Sequence, residues 1–295
     1  MTFEQWMRGT LDRVETALEH YLPGTNVAPA RLHEAMRYAV LGGGKRVRPL
    51  LCHAAGELTN TGASAVEAAS CALEMMHVYS LVHDDMPCMD DDALRRGKPT
   101  VHIQYDDATA LLVGDALQSQ AFVALTADGN GLKDAQQAAL TRELALASGS
   151  VGMAGGQAID LESVGRKLSR PELETMHRNK TGALLRAAVR MGALAGDKPS
   201  ADNLAALDQY AAAVGLAFQV VDDILDVTAD SARLGKTAGK DAQNDKPTYV
   251  SIIGLEASRE LAVQLGRDAH AALAPFGARG QRLAELADLI VNQVN

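Results

Sequence analysis

The most informative segment of the chain is an apolar run that closes on a cluster of aspartates: Met75-Met76-His77-Val78-Tyr79-Ser80-Leu81-Val82-His83-Asp84-Asp85-Met86-Pro87-Cys88-Met89-Asp90-Asp91-Asp92. The arrangement recurs further along, in Phe218-Gln219-Val220-Val221-Asp222-Asp223-Ile224-Leu225-Asp226. Helices that are apolar around most of their circumference belong in the middle of a bundle. The sequence therefore predicts two central helices, each with carboxylates at its end.

The spacing of these aspartates indicates a metal site. Asp222 and Asp226 are four residues apart, so on a helix they share one face. Burying such like charges without a partner is costly, and Mg²⁺ binds through a few carboxylates together with substrate phosphates. Asp84 and Asp90 lie six residues apart with Pro87 between them, which predicts a distorted turn. One Asp-rich stretch alone is usually a solvated helix end, but two favour a shared cation.

Helix-favouring composition and periodicity extend through the chain. Of 295 residues, 47% are hydrophobic but only 4% are aromatic, and there are 9 prolines. No strand alternation is evident, so the sequence predicts a single all-α domain. Its helices are expected at residues 2–20, 28–41, 49–58, 64–84, 107–126, 134–147, 171–195, 202–226, 256–273 and 281–293.

Charge and cysteine content argue against several classes of protein. A formal net charge of −9 disfavours nucleic-acid binding. The three cysteines form no C-x-x-C pair, and a low, odd count fits a reducing cytosol. The N-terminus lacks the apolar core of a signal peptide, and no apolar run approaches the roughly 20 residues that cross a bilayer. We expect a cytoplasmic protein without a membrane span.

Two basic segments are candidate diphosphate sites. Gly42-Gly43-Gly44-Lys45-Arg46-Val47-Arg48-Pro49 combines a flexible backbone with three cations. Arg95-Arg96-Gly97-Lys98-Pro99 follows the first aspartate cluster. The alternatives are an ordinary turn for the first segment and simple charge balance for the second. His77 lies two helical turns before Asp84 on the same face, so it either reaches the site or is a core histidine.

Together these motifs resemble the trans-isoprenyl diphosphate synthases, and especially the bacterial farnesyl diphosphate synthases. The matching segments are residues 43–49, 80–100, 114–117, 153–157, 180–181 and 215–226. Four residues separate Asp85 from Asp90, the longer spacing of the bacterial form. The resemblance implies one polyprenyl synthase domain over residues 1–295, a bundle of long antiparallel helices around a deep central cavity, and a homodimer.

The resemblance also implies an activity and a cofactor. The chain would condense isopentenyl diphosphate with dimethylallyl and geranyl diphosphate to give farnesyl diphosphate, by ionisation, condensation and proton elimination. Magnesium would assist, as three ions that Mn²⁺ could replace. The implied metal-binding residues are Asp84, Asp90 and Asp222, supported by Asp85, Asp223 and Asp226.

The same resemblance implies the substrate-binding and catalytic residues. The allylic diphosphate would be held by Arg95, Lys180 and Lys236. Isopentenyl diphosphate would be held by the Gly44 loop with Lys45, Arg48, His77 and Arg96. The Thr181 hydroxyl, the Gln219 amide and the Lys180 carbonyl would face the developing carbocation. The released diphosphate would accept the proton.

Product length depends on the depth of the cavity. Tyr79 lies five residues before Asp84 and Ser80 lies four before it. Both are about 6–7.5 Å from the metal end along the helix axis. A growing chain that follows this helix would meet Tyr79 as a floor, and the resemblance implies a C15 product.

Other functions remain open at this point. A geranyl or geranylgeranyl diphosphate synthase would differ only in cavity depth. A class I terpene cyclase would share the metal chemistry but would need no second diphosphate site. A non-catalytic prenyltransferase subunit would tend to lose aspartates, and a purely structural bundle would not need them. The C-terminus, ending Val291-Asn292-Gln293-Val294-Asn295, lacks the basic residues that relatives often carry there.

Overall fold

A computed structural model describes residues 1–166, 168–228 and 247–294 of the chain. As the sequence predicts, these residues are almost entirely helical. The α-helices are α1 (Phe3–Tyr21), α2 (Ala30–Val40), α3 (Val47–Glu57), α4 (Ala63–Asp84), α5 (Val101–Gln104), α6 (Asp107–Thr126), α7 (Asp134–Ser148), α8 (Met153–Ser163), α9 (Arg170–His177), α10 (Ala183–Leu194), α11 (Ala201–Thr228), α12 (Tyr249–Ile253), α13 (Leu255–Ala272) and α14 (Gln281–Val291).

Shorter elements complete the description. A π-helix (Arg178–Gly182) joins α9 to α10, and 3₁₀ segments cover Ala274–Gly280 and Asn292–Val294. Two strands of two residues, β1 (Leu94–Arg95) and β2 (Lys98–Pro99), pair antiparallel, with Leu94 opposite Pro99. The turn between them has positive φ at both Arg96 and Gly97, the geometry of tight hairpin turns. This hairpin was not predicted, because two-residue strands are too short for an alternating pattern.

Local sequence explains where several helices begin. Asp106 caps α6 by accepting a hydrogen bond at 2.7 Å from the backbone N–H of Thr109. Glu172 accepts a hydrogen bond at 2.8 Å from the backbone N–H of Ser169, which closes a capping box before α9. Ser169 is therefore the N-cap of α9.

The two apolar helices that end in aspartates occupy the core. Leu73, Met75 and Met76 of α4 are fully buried, as are Tyr210 and Val220 of α11. The principal packing pairs are α4 with α6, α11 with α13, and α3 with α10. The central position that the sequence predicts for α4 and α11 is therefore confirmed.

Helix α8 and the π-helix differ from the prediction. Helix α8 was not predicted, because it begins among glycines such as Gly152 and Gly156, and glycine disfavours helix. The run expected to be one helix over residues 171–195 is divided by the π-helix into α9 and α10. Apolar periodicity does not report an insertion of one residue in a turn, so this feature could not be predicted.

Helices α6 and α11 also differ in how far their apolar surfaces are covered. Both are long and apolar enough to cross a membrane by length and composition, although no such run was expected. For α11, 61% of the apolar window is buried inside the bundle, as in a core helix. For α6 the share is 39%, and Leu111, Leu112 and Val123 are each about half exposed. The outer face of α6 therefore exposes three large apolar side chains among the polar residues Asp115, Gln118 and Ser119.

Candidate active site

A cavity of about 360 Å³ opens beside the aspartate end of α4. Its polar wall combines one carboxylate with cations and neutral polar groups: Arg48, His77, Ser80, Asp84, Gln157, Lys180 and Thr181. Its apolar wall includes Tyr79, Leu81, Met89, Met153, Ala158 and Leu161. Seven of the predicted site residues thus line one cavity, which has a charged side and an apolar side.

The first aspartate cluster folds back on itself after α4. The backbone N–H of Asp90 donates to the carbonyl of Asp84 at 2.9 Å, and that of Asp92 donates to the carbonyl of Asp85 at 3.1 Å. This is the distorted turn expected around Pro87. Burial raises the pKa of the Asp84 carboxyl to about 6; Lys180 opposes the rise and Asp90 adds to it. The cluster is therefore a place where a cation is stabilising.

Asp85 and Arg95 are bound to each other. The Arg95 guanidinium donates to both oxygens of Asp85, at distances from 2.6 to 2.9 Å, and Asp85 is 3% exposed. Together with Arg96 they line a smaller, neighbouring cavity of about 60 Å³, which shares Leu81 with the first. Asp85 therefore fixes the position of an arginine that the sequence predicts to hold a diphosphate.

The second aspartate cluster is connected to the cavity by a chain of hydrogen bonds. The Thr181 hydroxyl donates to Gln219 Oε1 at 3.2 Å, and Gln219 Nε2 donates to Asp223 Oδ1 at 2.8 Å. Asp223 Oδ2 accepts from the backbone N–H of Tyr249 at 2.7 Å. Asp226 is 4% exposed, and its Oδ1 has no hydrogen-bond partner among residues 1–166, 168–228 and 247–294. A buried carboxylate oxygen of this kind fits a cation ligand.

The π-helix brings Lys180 and Thr181 to the cavity. Such bulges occur often at functional sites. Lys180 Nζ lies 2.6 Å from Asp160 Oδ2, and Asp160 is 6% exposed. A Cβ at Gly156 would overlap the backbone of Lys180, so glycine is needed where α8 crosses the π-helix. Sequence reasoning missed Asp160, although it follows Gln157 at a spacing of three on the same helical face.

The basic loop before α3 shows why Gly44 is required. Gly44 has φ of +129°, and a Cβ there would lie 2.7 Å from the Arg96 guanidinium. Arg96 Nη1 donates to the Gly43 carbonyl at 2.6 Å. Lys45 Nζ donates to Gln293 Oε1 at 2.8 Å, so the C-terminal segment reaches this loop without a basic residue.

Arg48 and His77 face the cavity as a buried pair of phosphate-binding candidates. Arg48 is 7% exposed, and its Nε has no hydrogen-bond partner within the described part of the chain. Burial lowers the pKa of Arg48 to about 10; the charge of Glu74 opposes this decrease, and the charge of Arg96 adds to it. Burial and the nearby charges of Arg48 and Arg96 hold the pKa of His77 well below its ordinary value. His77 is therefore a neutral hydrogen-bonding group.

The chain-length candidates occupy different environments. Tyr79 lies edge-on to the His83 ring at 5.5 Å between ring centroids. The Ser80 hydroxyl donates to the His77 carbonyl at 2.7 Å. Gln157, which belongs to a matching segment but was given no role from sequence, lines the same cavity, and neither polar atom of its amide has a hydrogen-bond partner among the described residues.

The predicted residues are not all gathered into one ready site. Among residues 1–166, 168–228 and 247–294, no three His, Cys, Asp or Glu side chains form a group that could hold a metal ion by themselves. Lys236, predicted to hold the allylic diphosphate, lies outside the described residues. The carboxylates present suit Mg²⁺ when phosphate oxygens supply the remaining ligands.

Comparison with known proteins supplies the context for this geometry. The polyprenyl synthetase family matches residues 29–272. The farnesyl diphosphate synthase of Haemophilus influenzae is 46% identical over 286 residues, which are 96% of this chain and 97% of that protein. The farnesyl diphosphate synthase of Escherichia coli K12 is 43% identical over 297 residues, which are 99% of each chain.

A solved structure shares the fold along the full length. A geranyltransferase from Helicobacter pylori, crystallised with magnesium and isoprenyl diphosphate, superposes with a TM-score of 0.87. It is 31% identical in sequence, and the match covers all of this chain and 98% of the other.

Proposed function

The chain belongs to the polyprenyl synthetase family, and on that premise we propose that it is a farnesyl diphosphate synthase. It condenses isopentenyl diphosphate with dimethylallyl diphosphate, and then with geranyl diphosphate, to give a C15 product. Residues 1–295 act as one polyprenyl synthase domain in the cytoplasm.

One observation carries this proposal: a single cavity joins a charged end to an apolar wall. Asp84, Lys180 and Arg48 lie at the charged end, and Met153 and Leu161 belong to the apolar wall. A prenyl diphosphate has the same two-part chemistry, an anionic head on a hydrocarbon chain. A terpene cyclase would also need the metal-binding carboxylates and the apolar wall. It would have no second diphosphate for the basic loop before α3 to bind.

Magnesium fits the carboxylates at both helix ends. Asp84 has a raised pKa, and Asp226 Oδ1 has no hydrogen-bond partner among the described residues. A nearby cation would stabilise both carboxylates. When bound, Mg²⁺ neutralises charge on the departing diphosphate. Three ions and replacement by Mn²⁺ belong to the proposal: Asp84, Asp90 and Asp222 would bind the metal, and Asp85, Asp223 and Asp226 would support it directly or through water.

The allylic head group is held by Lys180 and Arg95, which the ion pairs with Asp160 and Asp85 keep in place. Lys236 acts as a third cation. Charge that develops on the leaving oxygens is then stabilised by fixed cations rather than by water.

The chain's own residues then protect and direct the allylic carbocation. The apolar wall excludes water, which would otherwise trap the cation. The Thr181 hydroxyl, the Gln219 amide and the Lys180 carbonyl present dipoles towards it. Isopentenyl diphosphate attacks from the basic loop, held by Gly44, Lys45, Arg48, His77 and Arg96. The proton lost after condensation goes to the released diphosphate.

A homodimer is part of the proposal. The outer face of α6, where Leu111, Leu112 and Val123 are each about half exposed, is the supporting feature. A second copy of the chain would cover these large apolar side chains.

Incubation of the purified protein with Mg²⁺, dimethylallyl diphosphate and radiolabelled isopentenyl diphosphate tests the proposed activity. Labelled farnesyl diphosphate is expected, and removal of Mg²⁺ with EDTA should abolish its formation. A C10 or C20 product would replace the C15 assignment with a geranyl or geranylgeranyl diphosphate synthase.

Other outcomes of the same assay would overturn the proposal. A hydrocarbon that contains no label from isopentenyl diphosphate would identify a terpene cyclase. A complete absence of diphosphate release, from protein that circular dichroism shows to be helical, would identify a non-catalytic subunit.

A further inference from the structure

We infer that Arg46 and Glu74 form a buried clamp that positions the isopentenyl diphosphate site, an inference that rests on the proposed function. Neither residue lines the cavity, so both act through neighbours. Arg46 sits in the basic loop between α2 and α3, and Glu74 sits on α4, one turn before His77. The clamp therefore joins the two elements that carry the phosphate-binding candidates.

Each of the three nitrogens of the Arg46 guanidinium has a protein partner. Its Nε lies 2.7 Å from Glu15 Oε1 on α1, its Nη1 lies 2.7 Å from Glu74 Oε1, and its Nη2 donates to the Val40 carbonyl at 2.6 Å. The side chains of Arg46 and Glu74 are 1% and 2% exposed. A guanidinium so enclosed cannot itself bind a phosphate, unlike its neighbours Lys45 and Arg48.

The backbone of Arg46 is equally constrained. It adopts the left-handed conformation, with φ of +47°, which non-glycine residues rarely take. Its carbonyl accepts from the backbone N–H of Leu50 at 3.0 Å, so it forms the first turn of α3. The three side-chain contacts supply the free energy that holds this conformation. Lys45 and Arg48 are thereby set on either side of the clamp.

Glu74 also influences the cations of the site by its charge. It raises the pKa of Arg48 and of Arg96 against the effect of burial. The negative charge of Glu74 would therefore weaken the binding of a diphosphate beside those arginines if it acted by electrostatics alone. If Glu74 acts by positioning, removal of its charge should weaken the binding of the diphosphate instead of strengthening it. The two roles therefore predict opposite changes in affinity.

The discriminating variant is Glu74→Gln, which removes the charge and keeps the shape. The Michaelis constant for isopentenyl diphosphate is expected to rise roughly tenfold, because small displacements of binding groups are costly. The constant for geranyl diphosphate should stay within about twofold, since Lys180 and Arg95 are held by other partners. An unchanged or lowered constant for isopentenyl diphosphate, or an equal rise for both substrates, would overturn the clamp.

Two further variants keep the test decisive. Glu15→Gln alters the half-exposed end of the same network and should raise the constant for isopentenyl diphosphate in the same direction, even if Glu74→Gln does not fold. Arg190→Met is the matched control. It removes two ion pairs remote from the loop, one with Glu143 at 2.8 Å and one with Asp208 at 2.9 Å. It should lower the melting temperature and leave both Michaelis constants unchanged.

The wild-type protein separates this inference from the proposed function. Wild-type protein that fails to condense isopentenyl diphosphate would overturn both. An active wild-type protein with a folded Glu15→Gln variant of unchanged Michaelis constants would overturn the clamp alone.

Discussion

Several side chains around the cavity are held in position by a second side chain. Asp85 holds Arg95, Asp160 holds Lys180, and Gln219 links Thr181 to the second aspartate cluster. A cation fixed in this way needs little reorganisation when charge develops on a leaving group. Lys180, which a sequence motif identifies, therefore depends on Asp160, which no motif identifies.

Substitution of Tyr79 tests the floor of the cavity. Tyr79→Ala should shift the product from C15 to longer chains, because the ring that packs against His83 would no longer limit depth. Product length is measured by chromatography after dephosphorylation. Tyr105→Ala, which alters a tyrosine outside the cavity, should keep C15. A variant of Tyr79 that still stops at C15 would exclude this residue as the floor.

The buried His53 predicts a loss of stability in acid. Burial lowers its pKa to about 4, below the value of about 6.5 in an unfolded chain. The folded state favours the neutral ring, so this stability is complete above pH 6.5 and is lost as the pH falls towards 4. Between pH 8 and pH 5 the loss should be about 2 kcal/mol.

Denaturant unfolding at the two pH values measures the effect of His53. His53→Gln should reduce the pH-dependent loss, whereas His20→Gln, at an exposed position of α1, should leave it unchanged. An equal loss in wild-type protein and in His53→Gln would contradict the assignment.

At the scale of elements, the π-helix between α9 and α10 determines where Lys180 and Thr181 lie. Gly156→Ala should push α8 against this segment, because the added Cβ would meet the backbone of Lys180 and Asn179. Turnover should fall by about 100-fold while the far-ultraviolet circular dichroism stays helical. The change is measured as kcat under saturating substrates.

Gly9→Ala is the matched control for the glycine in α8. Gly9 lies in α1 with nothing within 4 Å of an added Cβ. Its replacement should leave kcat unchanged and stabilise the protein by about 0.5–1 kcal/mol, since alanine favours a helix. Equal kcat values for the two variants would show that Gly156 is not needed for the π-helix.

The long helices could be predicted from sequence because burial imposes a period on them. Helix α6 was predicted at its observed bounds, Asp107–Thr126, and α4 within one residue at its start. Helix α8 and the β1–β2 hairpin were not predicted, because glycines and two-residue strands leave no periodic signal. Likewise, His77 and Arg48 were identified as site candidates, whereas the contacts of Asp160 and Arg46 depend on tertiary packing that no local pattern records.

At the scale of the whole molecule, the outer face of α6 predicts self-association. Leu112 is 54% exposed, and Leu112→Glu should convert the proposed dimer into monomers. Sedimentation velocity measures the mass. Val263→Glu, which replaces a partly exposed valine on α13, is the control and should leave the mass unchanged. A monomeric wild-type protein, or a dimeric Leu112→Glu variant, would contradict this role of α6.

The central claim is that carboxylates from the ends of α4 and α11 act on one diphosphate across one cavity. A crystal structure with Mg²⁺ and a bisphosphonate tests it most directly. We predict metal ions that bridge the phosphonate oxygens to Asp84 and Asp90 on one side and to Asp222 on the other, with Lys180 against the same head group. A bisphosphonate bound without metal, while either aspartate cluster points into solvent, would contradict the account.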